Sequence, residues 1–213
     1  FDAGRQVVLP YWRRLNYPSI DRLMISHGDN DHAGGARALL ETGLVRSLMT
    51  SDRQQFSAWH PTSCHAGQVW RWDGVQFQVL WPIKGMLYQG NNSSCVLRVD
   101  NGQKSILLTG DIEKPVEQQL LQQSRSLLPA TILVAPHHGS RTSSSWEWVE
   151  AVFPKLVVFS EGYMNRYHFP ASEVLKRYQK TGSMWYLTSL NGAIFVRLMG
   201  TGKVELGAFS HGT

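Results

Sequence analysis

Apolar and polar positions along the 213 residues fall into short apolar runs closed by glycine, proline or histidine. Arg22-Leu23-Met24-Ile25-Ser26 reads as a buried strand, 33–42 as a helix ended by Gly43, and 45–49 as the next strand. That β-loop-α-β order predicts a parallel pair with a crossover helix, and puts the loop at the carboxyl edge of the sheet. Residues 68–72 and 75–80 alternate around Asp73-Gly74, a strong hairpin signal. A second hairpin is expected from 95–99 and 105–108, joined across Asp100-Asn101-Gly102. Strands follow at 131–134 and 156–160, and helices at 113–123, 146–153 and 172–180. Three closing strands near 184–188, 192–198 and 203–206 suggest a second, partly antiparallel sheet. At the other end, Phe1-Asp2-Ala3-Gly4 reads as a strand end turning at Gly4, and Pro10 as the start of a helix over 11–15.

Composition changes this picture little. With 42% hydrophobic and 17% charged residues the chain is ordinary globular protein, neither disordered nor fibrous, and its length suits one domain. No apolar run approaches about 18 residues, so these residues do not cross a membrane by themselves; a membrane-anchored parent stays open. The abrupt opening without an initiator Met reads as a piece of something longer. A net charge of +5 gives a mild positive field that favours polyanions such as nucleic acid, although the basic residues are scattered. Cys64 and Cys95 match no zinc spacing. They read as small, partly buried apolar residues that an oxidising compartment would permit to pair. His60 and His65 read as surface residues of a weakly patterned loop, and the tryptophans as core or sheet-face residues.

Candidate chemistry gathers where the apolar runs break. Ile25-Ser26-His27-Gly28-Asp29-Asn30-Asp31-His32-Ala33-Gly34-Gly35 packs two histidines and two aspartates into six residues directly after a strand. Alternate residues of an extended segment point the same way, so His27 and Asp29 are expected to hold one ion. Asp31 and His32, at the turn into the helix, face a second. Two cations about 3.5–4 Å apart form a clamp that hydrolyses phosphate esters. The plain alternative is an Asn/Asp-rich turn that caps a helix, with Asp31 as N-cap. Two later strands end in a similar way. Leu108-Thr109-Gly110-Asp111 places a carboxylate able to bridge two cations, or to cap the next helix. Ala135-Pro136-His137-His138-Gly139-Ser140 places adjacent histidines suited to ligation or proton transfer.

In this order the motifs resemble the metallo-β-lactamase fold, an α/β four-layer αββα sandwich with a dinuclear metal groove along one edge. The finer resemblance covers essentially the whole chain and is to the carboxyl-terminal domain of ComEC-type DNA-internalisation competence proteins. It runs through Phe1-Asp2-Ala3-Gly4, Val8-Leu9-Pro10, the His27–Gly35 stretch, Asn91-Asn92-x-Ser94, Leu108-Thr109-Gly110-Asp111-Ile112-Glu113, Pro136-His137-His138-Gly139-Ser140 and Asn165-x-x-His168-x-Pro170. The resemblance implies a single domain over 1–213, lacking the fold's first strand or strands and belonging to a larger inner-membrane protein. It would lie on the extracytoplasmic side. The implied activity is phosphodiester hydrolysis of DNA, degrading the non-transported strand during uptake. Partners would be DNA, the membrane-spanning part of the same protein and other uptake machinery.

For the site, the resemblance implies that His27 and Asp29 hold a first cation. Asp31, His32 and one of His137 and His138 hold a second, with Asp111 bridging. The spare histidine or His168 would protonate the leaving oxygen or hold a phosphate oxygen, while Asn92, Ser140, Arg141 and Asn165 would contact substrate. Family members usually carry histidine at the Asp29 position, and many supply another where this chain has Asn91-Asn92-Ser93-Ser94. Fewer imidazoles make a harder site, so Mn²⁺ is expected ahead of Zn²⁺ or Mg²⁺. The rival readings are a catalytically weak DNA-binding or structural module and an enzyme for small phosphoesters.

Overall fold

A computed structural model describes residues 2–209. A π-helical turn, Gly4–Val8, runs straight into α1 (Leu9–Arg14), with Pro10 in the first turn. The strand end expected at Gly4 is therefore helix, and Phe1 lies outside the described residues. Gly4 packs backbone to backbone on Gly35: a Cβ there would fall 1.9 Å from the Gly35 carbonyl oxygen. β1 (Leu23–Ile25) leads into α2 (Asn30–Ala33), and α3 (Ala36–Leu40) follows. The single helix expected over 33–42 is thus two, begun earlier and broken where Gly35 meets Gly4. The N-cap position belongs to Asp29 rather than Asp31, because the chain turns helical at Asn30.

β2 (Leu48–Thr50) pairs parallel with β1, and β3 (Thr62–Ser63) with β2. β1 is an edge of this three-stranded sheet, and no strand precedes it among the described residues. The larger, seven-stranded sheet begins with the two expected hairpins. These are β4 (Val69–Trp72) with β5 (Val75–Trp81), and β6 (Val96–Asp100) with β7 (Ser105–Leu108). It then continues parallel through β8 (Ile132–Val134), β9 (Leu156–Phe159) and β10 (Met184–Leu187). The crossovers carry α4 (Lys114–Gln123), α5 (Trp146–Val152) and α6 (Ser172–Lys180). Ser145 caps α5 by accepting the Trp148 N–H. The closing strands differ from expectation. β10 joins the large sheet beside β9, where Leu187 extends the buried apolar face. Only β11 (Ala193–Leu198) and β12 (Val204–Phe209) form an antiparallel pair of their own.

Among the described residues the apolar clusters lie between four layers, with a further one where Leu9 meets Ile20, Ala38 and Leu39. Ala33, Ala36 and Leu40 pack on Ile25 and Leu48 outside the small sheet. Met49 and Cys64 meet Val79, Cys95 and Leu97 between the sheets. Leu107, Leu133 and Val157 lie under Val116, Leu120, Trp148 and Val174 outside the large one. Each such Leu, Ile or Val side chain removed from water contributes roughly 1.5–3 kcal/mol, so the α-β-β-α order follows from which faces are apolar. Cys64 and Cys95 do more than fill the middle core: they form a disulfide, with Cα atoms 6.1 Å apart.

Candidate metal centre

The site lies where parallel strands end. Leu108 of β7 pairs with Val134 of β8, and Val134 with Val158 of β9, so the segments after them leave the sheet side by side. Gly110 has φ +55, and a Cβ there would lie 2.7 Å from the Ser94 Cβ. A side chain would therefore push Asp111 away from the rim. After β8 the chain turns through His137 (φ 49) and His138 (φ 54), left-handed conformations that cost energy in non-glycine residues. The turn is held by His137 N–H to Gly110 O (3.1 Å) and Ser140 N–H to His137 O (2.8 Å). From the small sheet, β1 delivers its loop to the same place, joined by Cys95 N–H to Ser26 O at 2.9 Å.

Asp31, His32, Asp111 and His138 converge, each offering a ligand atom within 4.8 Å of the others. His32 Nε2 is 2.9 Å from Asp111 Oδ1, and His138 Nε2 is 3.3 Å from Asp111 Oδ2 and 3.4 Å from Asp31 Oδ2. The two Nε2 atoms are 3.2 Å apart. His138 Nδ1 donates to the Ser160 carbonyl, an atom that can only accept, which leaves Nε2 of the neutral ring free to ligate. With both Nε2 atoms unprotonated, two lone pairs and two carboxylates would face one point and repel each other unless a cation lay among them.

The side-chain charges reflect this. Burial opposes a charged His138, but the hydrogen bond and negative charge of Asp111 outweigh it and push the imidazole up to about 9. Burial would raise Asp111, yet His138 and His32 hold it well below the usual carboxylate range. The His138 proton thus occupies the electrostatic place of a cation.

His27 and Asp29 lie beside this group, with His27 Nε2 at 3.8 Å from Asp29 Oδ2 and the His27 and His32 rings 4.3 Å apart. His27 is fully buried and its Nε2 has no hydrogen-bond partner. Burial, reinforced by His32, lowers its pKa. An orphaned, neutral, buried imidazole nitrogen next to a carboxylate fits a metal ligand. His137 stands apart from its neighbour: Nε2 is 3.9 Å from Asp111 Oδ2 and 3.4 Å from Asn91 Nδ2, while Nδ1 is near Thr142 Oγ1 (3.1 Å) and Glu113 Oε1 (3.5 Å).

The remaining candidates fall elsewhere. Asn92 receives the Glu113 N–H at 3.0 Å and donates to Glu113 Oε2, so it holds the start of α4. The Asn165 amide both donates to and accepts from the Phe169 backbone (2.9 and 2.8 Å), pinning its own loop. Ser140 is buried against Thr142. Arg141 and His168 are exposed. Two serines that sequence reading passed over lie within the cluster. Ser26 Oγ contacts Nδ1 of both His27 and His32 (3.1 and 3.0 Å). Ser94 Oγ contacts His27 Nδ1 at 3.2 Å and accepts the Asp111 N–H at 2.9 Å. Both belong to motif stretches, but a hydroxyl that orients a ligand has no spacing signature of its own.

The model of the metallo-beta-lactamase superfamily matches residues 2–155. The chain is 36% identical over 94% of its length to the uncharacterized protein YcaI of Escherichia coli. It is 36% identical over 89% to Recombination protein 2 of Haemophilus influenzae, and 34% over 90% to Competence protein ComA of Neisseria gonorrhoeae. It spans only 24–27% of those relatives, about a quarter of their length. Among solved structures it is similar in fold to Tm1679, titled a metal-dependent hydrolase of the beta-lactamase superfamily. That match has TM-score 0.53 and 15% identity, and covers 88% of this chain and 84% of that one. The metallo-beta-lactamase fold protein YhfI from Bacillus subtilis matches at TM-score 0.52 and 14% identity, over 92% and 83%.

Proposed function

The chain belongs to the metallo-beta-lactamase superfamily, and from that premise we propose that it is a metal-dependent phosphodiesterase acting on DNA during uptake, degrading the strand that is not transported. The observation that carries this reading is the convergence of Asp31, His32, Asp111 and His138 from three separate segments. Asp31, His32 and His138 would hold one divalent cation and His27 and Asp29 a second; Asp111 meets His32 and His138 of the first group directly, and its charge also reaches His27 of the second, so it would serve both. Bound there, such cations polarise a phosphoryl oxygen and lower the pKa of water. Two carboxylates on the first ion, and Asp29 on the second, make the set hard enough for Mn²⁺ to outrank Zn²⁺.

The protein's own groups do the rest. His138 is the ligand of the histidine pair, because its Nε2 faces Asp31 and Asp111. His137 is the proton carrier, held by Thr142 and Glu113 so that Nε2 can deliver a proton to the leaving oxygen. Asn91, not Asn92, has its amide beside that nitrogen. The exposed Arg141 and His168 are left to meet phosphate.

Likeness to proteins named for competence and recombination supports DNA as substrate. It also supports the membrane-spanning remainder of a longer chain, and the uptake machinery, as partners. The Cys64–Cys95 disulfide supports an oxidising, extracytoplasmic location. No helix among the described residues is long and apolar enough to cross a membrane.

The deciding experiment incubates the chain and its Asp111→Ala and His138→Ala variants with end-labelled single- and double-stranded DNA in Mn²⁺ or Zn²⁺. Cleavage should be faster in Mn²⁺ and fall by at least about a thousandfold in either variant. Equal cleavage in the variants, or salt-sensitive DNA retention without cleavage by any form, overturns the hydrolase reading in favour of a binding module. Turnover of a small diester with DNA left intact would instead change the substrate.

A further inference from the structure

The loop 161–170, between β9 and α6, spends exposure on residues that water does not favour. Tyr163, Met164 and Tyr167 are 76%, 84% and 60% exposed, yet the loop that displays them is locked. The Asn165 side chain ties Phe169 through both its N–H and its carbonyl, and also donates to Glu161 and the Gly162 carbonyl. The loop's base is joined to the centre through the Ser160 carbonyl, which accepts from His138 Nδ1.

From the cluster outwards the rings form a ladder. His138 and Phe169 lie nearly parallel (20°, centroids 6.4 Å apart), Phe169 and Tyr167 likewise (20°, 5.4 Å), and the Arg166 guanidinium sits 4.8 Å from the Tyr167 centroid. Near-parallel flat groups at this spacing, ending in a planar cation and open to solvent, match the surface on which unpaired bases stack. A buried core would bring such rings together too, but would not leave the outermost ones in water.

We propose that this loop is a stacking platform for an unpaired nucleobase of single-stranded nucleic acid. Tyr167, with Phe169 on one face, takes the base on the other once Arg166, which now donates to the Tyr167 hydroxyl at 2.6 Å, swings out to the base or its phosphate, and Tyr163 offers a second face. The proposal rests on the phosphodiesterase reading for its meaning, since the platform leads straight to the ligand His138, and it deepens that reading by naming the form of the substrate. Paired bases keep their faces inside the duplex and cannot use such a surface, so the platform selects single strands.

Binding measured with the metal chelated separates platform from chemistry. Fluorescence anisotropy is read for a labelled single-stranded oligothymidylate, an abasic strand of the same length and charge, and a duplex. These are titrated with the wild-type chain, Tyr167→Ala and Tyr167→Phe, each matched for circular dichroism and melting temperature. The wild type should bind the single strand more tightly than the abasic strand. Tyr167→Ala should weaken single-strand binding by roughly tenfold and erase that difference, and Tyr167→Phe should keep it. Equal affinity of wild type and Tyr167→Ala for the single strand overturns the platform. Loss of binding to anionic vesicles in Tyr167→Ala, with oligonucleotide affinity unchanged, overturns it in favour of a membrane contact. If the wild type never cleaves DNA but the base-dependent difference is present, the hydrolase reading fails and the platform stands.

Discussion

At the scale of single residues, the centre depends on groups that do not ligate. Ser94 Oγ joins His27 to the Asp111 backbone from a fully buried position, so Ser94→Ala strands a buried N–H and loosens two proposed ligands at once. Metal affinity should fall about 10- to 100-fold with the fold intact, as measured by titration against a competing chelator. The His138–Asp111 pair adds a pH signature in the metal-free state. His138 is raised from 6.5 to about 9 in the folded chain, so its contribution is full below about pH 6.5 and is lost as pH rises through 9. Asp111 is depressed, so the same interaction is also lost as pH falls below its unfolded value. Urea unfolding in chelator should therefore show the chain less stable at pH 9.5 than at pH 6, by on the order of 2 kcal/mol after allowance for partial exposure. Asp111→Asn should flatten that slope, and a slope unchanged in the variant would show that the pair is not its source.

At the scale of elements, the hairpins β4–β5 and β6–β7 were legible because alternation and tight turns are local. The break between α2 and α3, and the helical start of the chain, were not: both follow from Gly4 meeting Gly35, a contact between segments that no local pattern records. The turn after β8 is also a tertiary product. Gly139 has φ +86, and a Cβ there would lie 2.5 Å from the Pro170 Cβ and 2.8 Å from the Phe159 ring. Gly139→Ala should cost about 1–3 kcal/mol in thermal or chemical unfolding. It should also lower DNA cleavage more than its stability loss explains, because the neighbouring His138 shifts with it. Loss of stability with full specific activity would place the strain elsewhere.

Across the whole molecule, the two sheets must hold a common rim, since the loop after β1 carries four of the six proposed ligands and the segments after β7 and β8 the other two. The Cys64–Cys95 disulfide links them across 31 residues of chain, one residue from Ser94. Closing a loop of that length stabilises by roughly 3–4 kcal/mol in the chain-entropy treatment. The Cys64→Ser/Cys95→Ser double variant should lose about that much in denaturant unfolding and bind metal more weakly than the wild type. Unchanged metal affinity would mean that the hydrophobic core between the sheets aligns the rim unaided.

What the sequence alone determined was most of the strands, the His- and Asp-rich motifs and the loops that carry them, because alternation, glycine turns and the chemistry of imidazole and carboxylate are properties of neighbouring residues. Which of two adjacent histidines faces the cluster, which asparagines merely brace a loop, which serines orient the ligands, and that β10 completes the large sheet were decided only by the tertiary structure. Each depends on the direction a side chain takes once distant segments have packed, and that direction is set by contacts far apart in the chain.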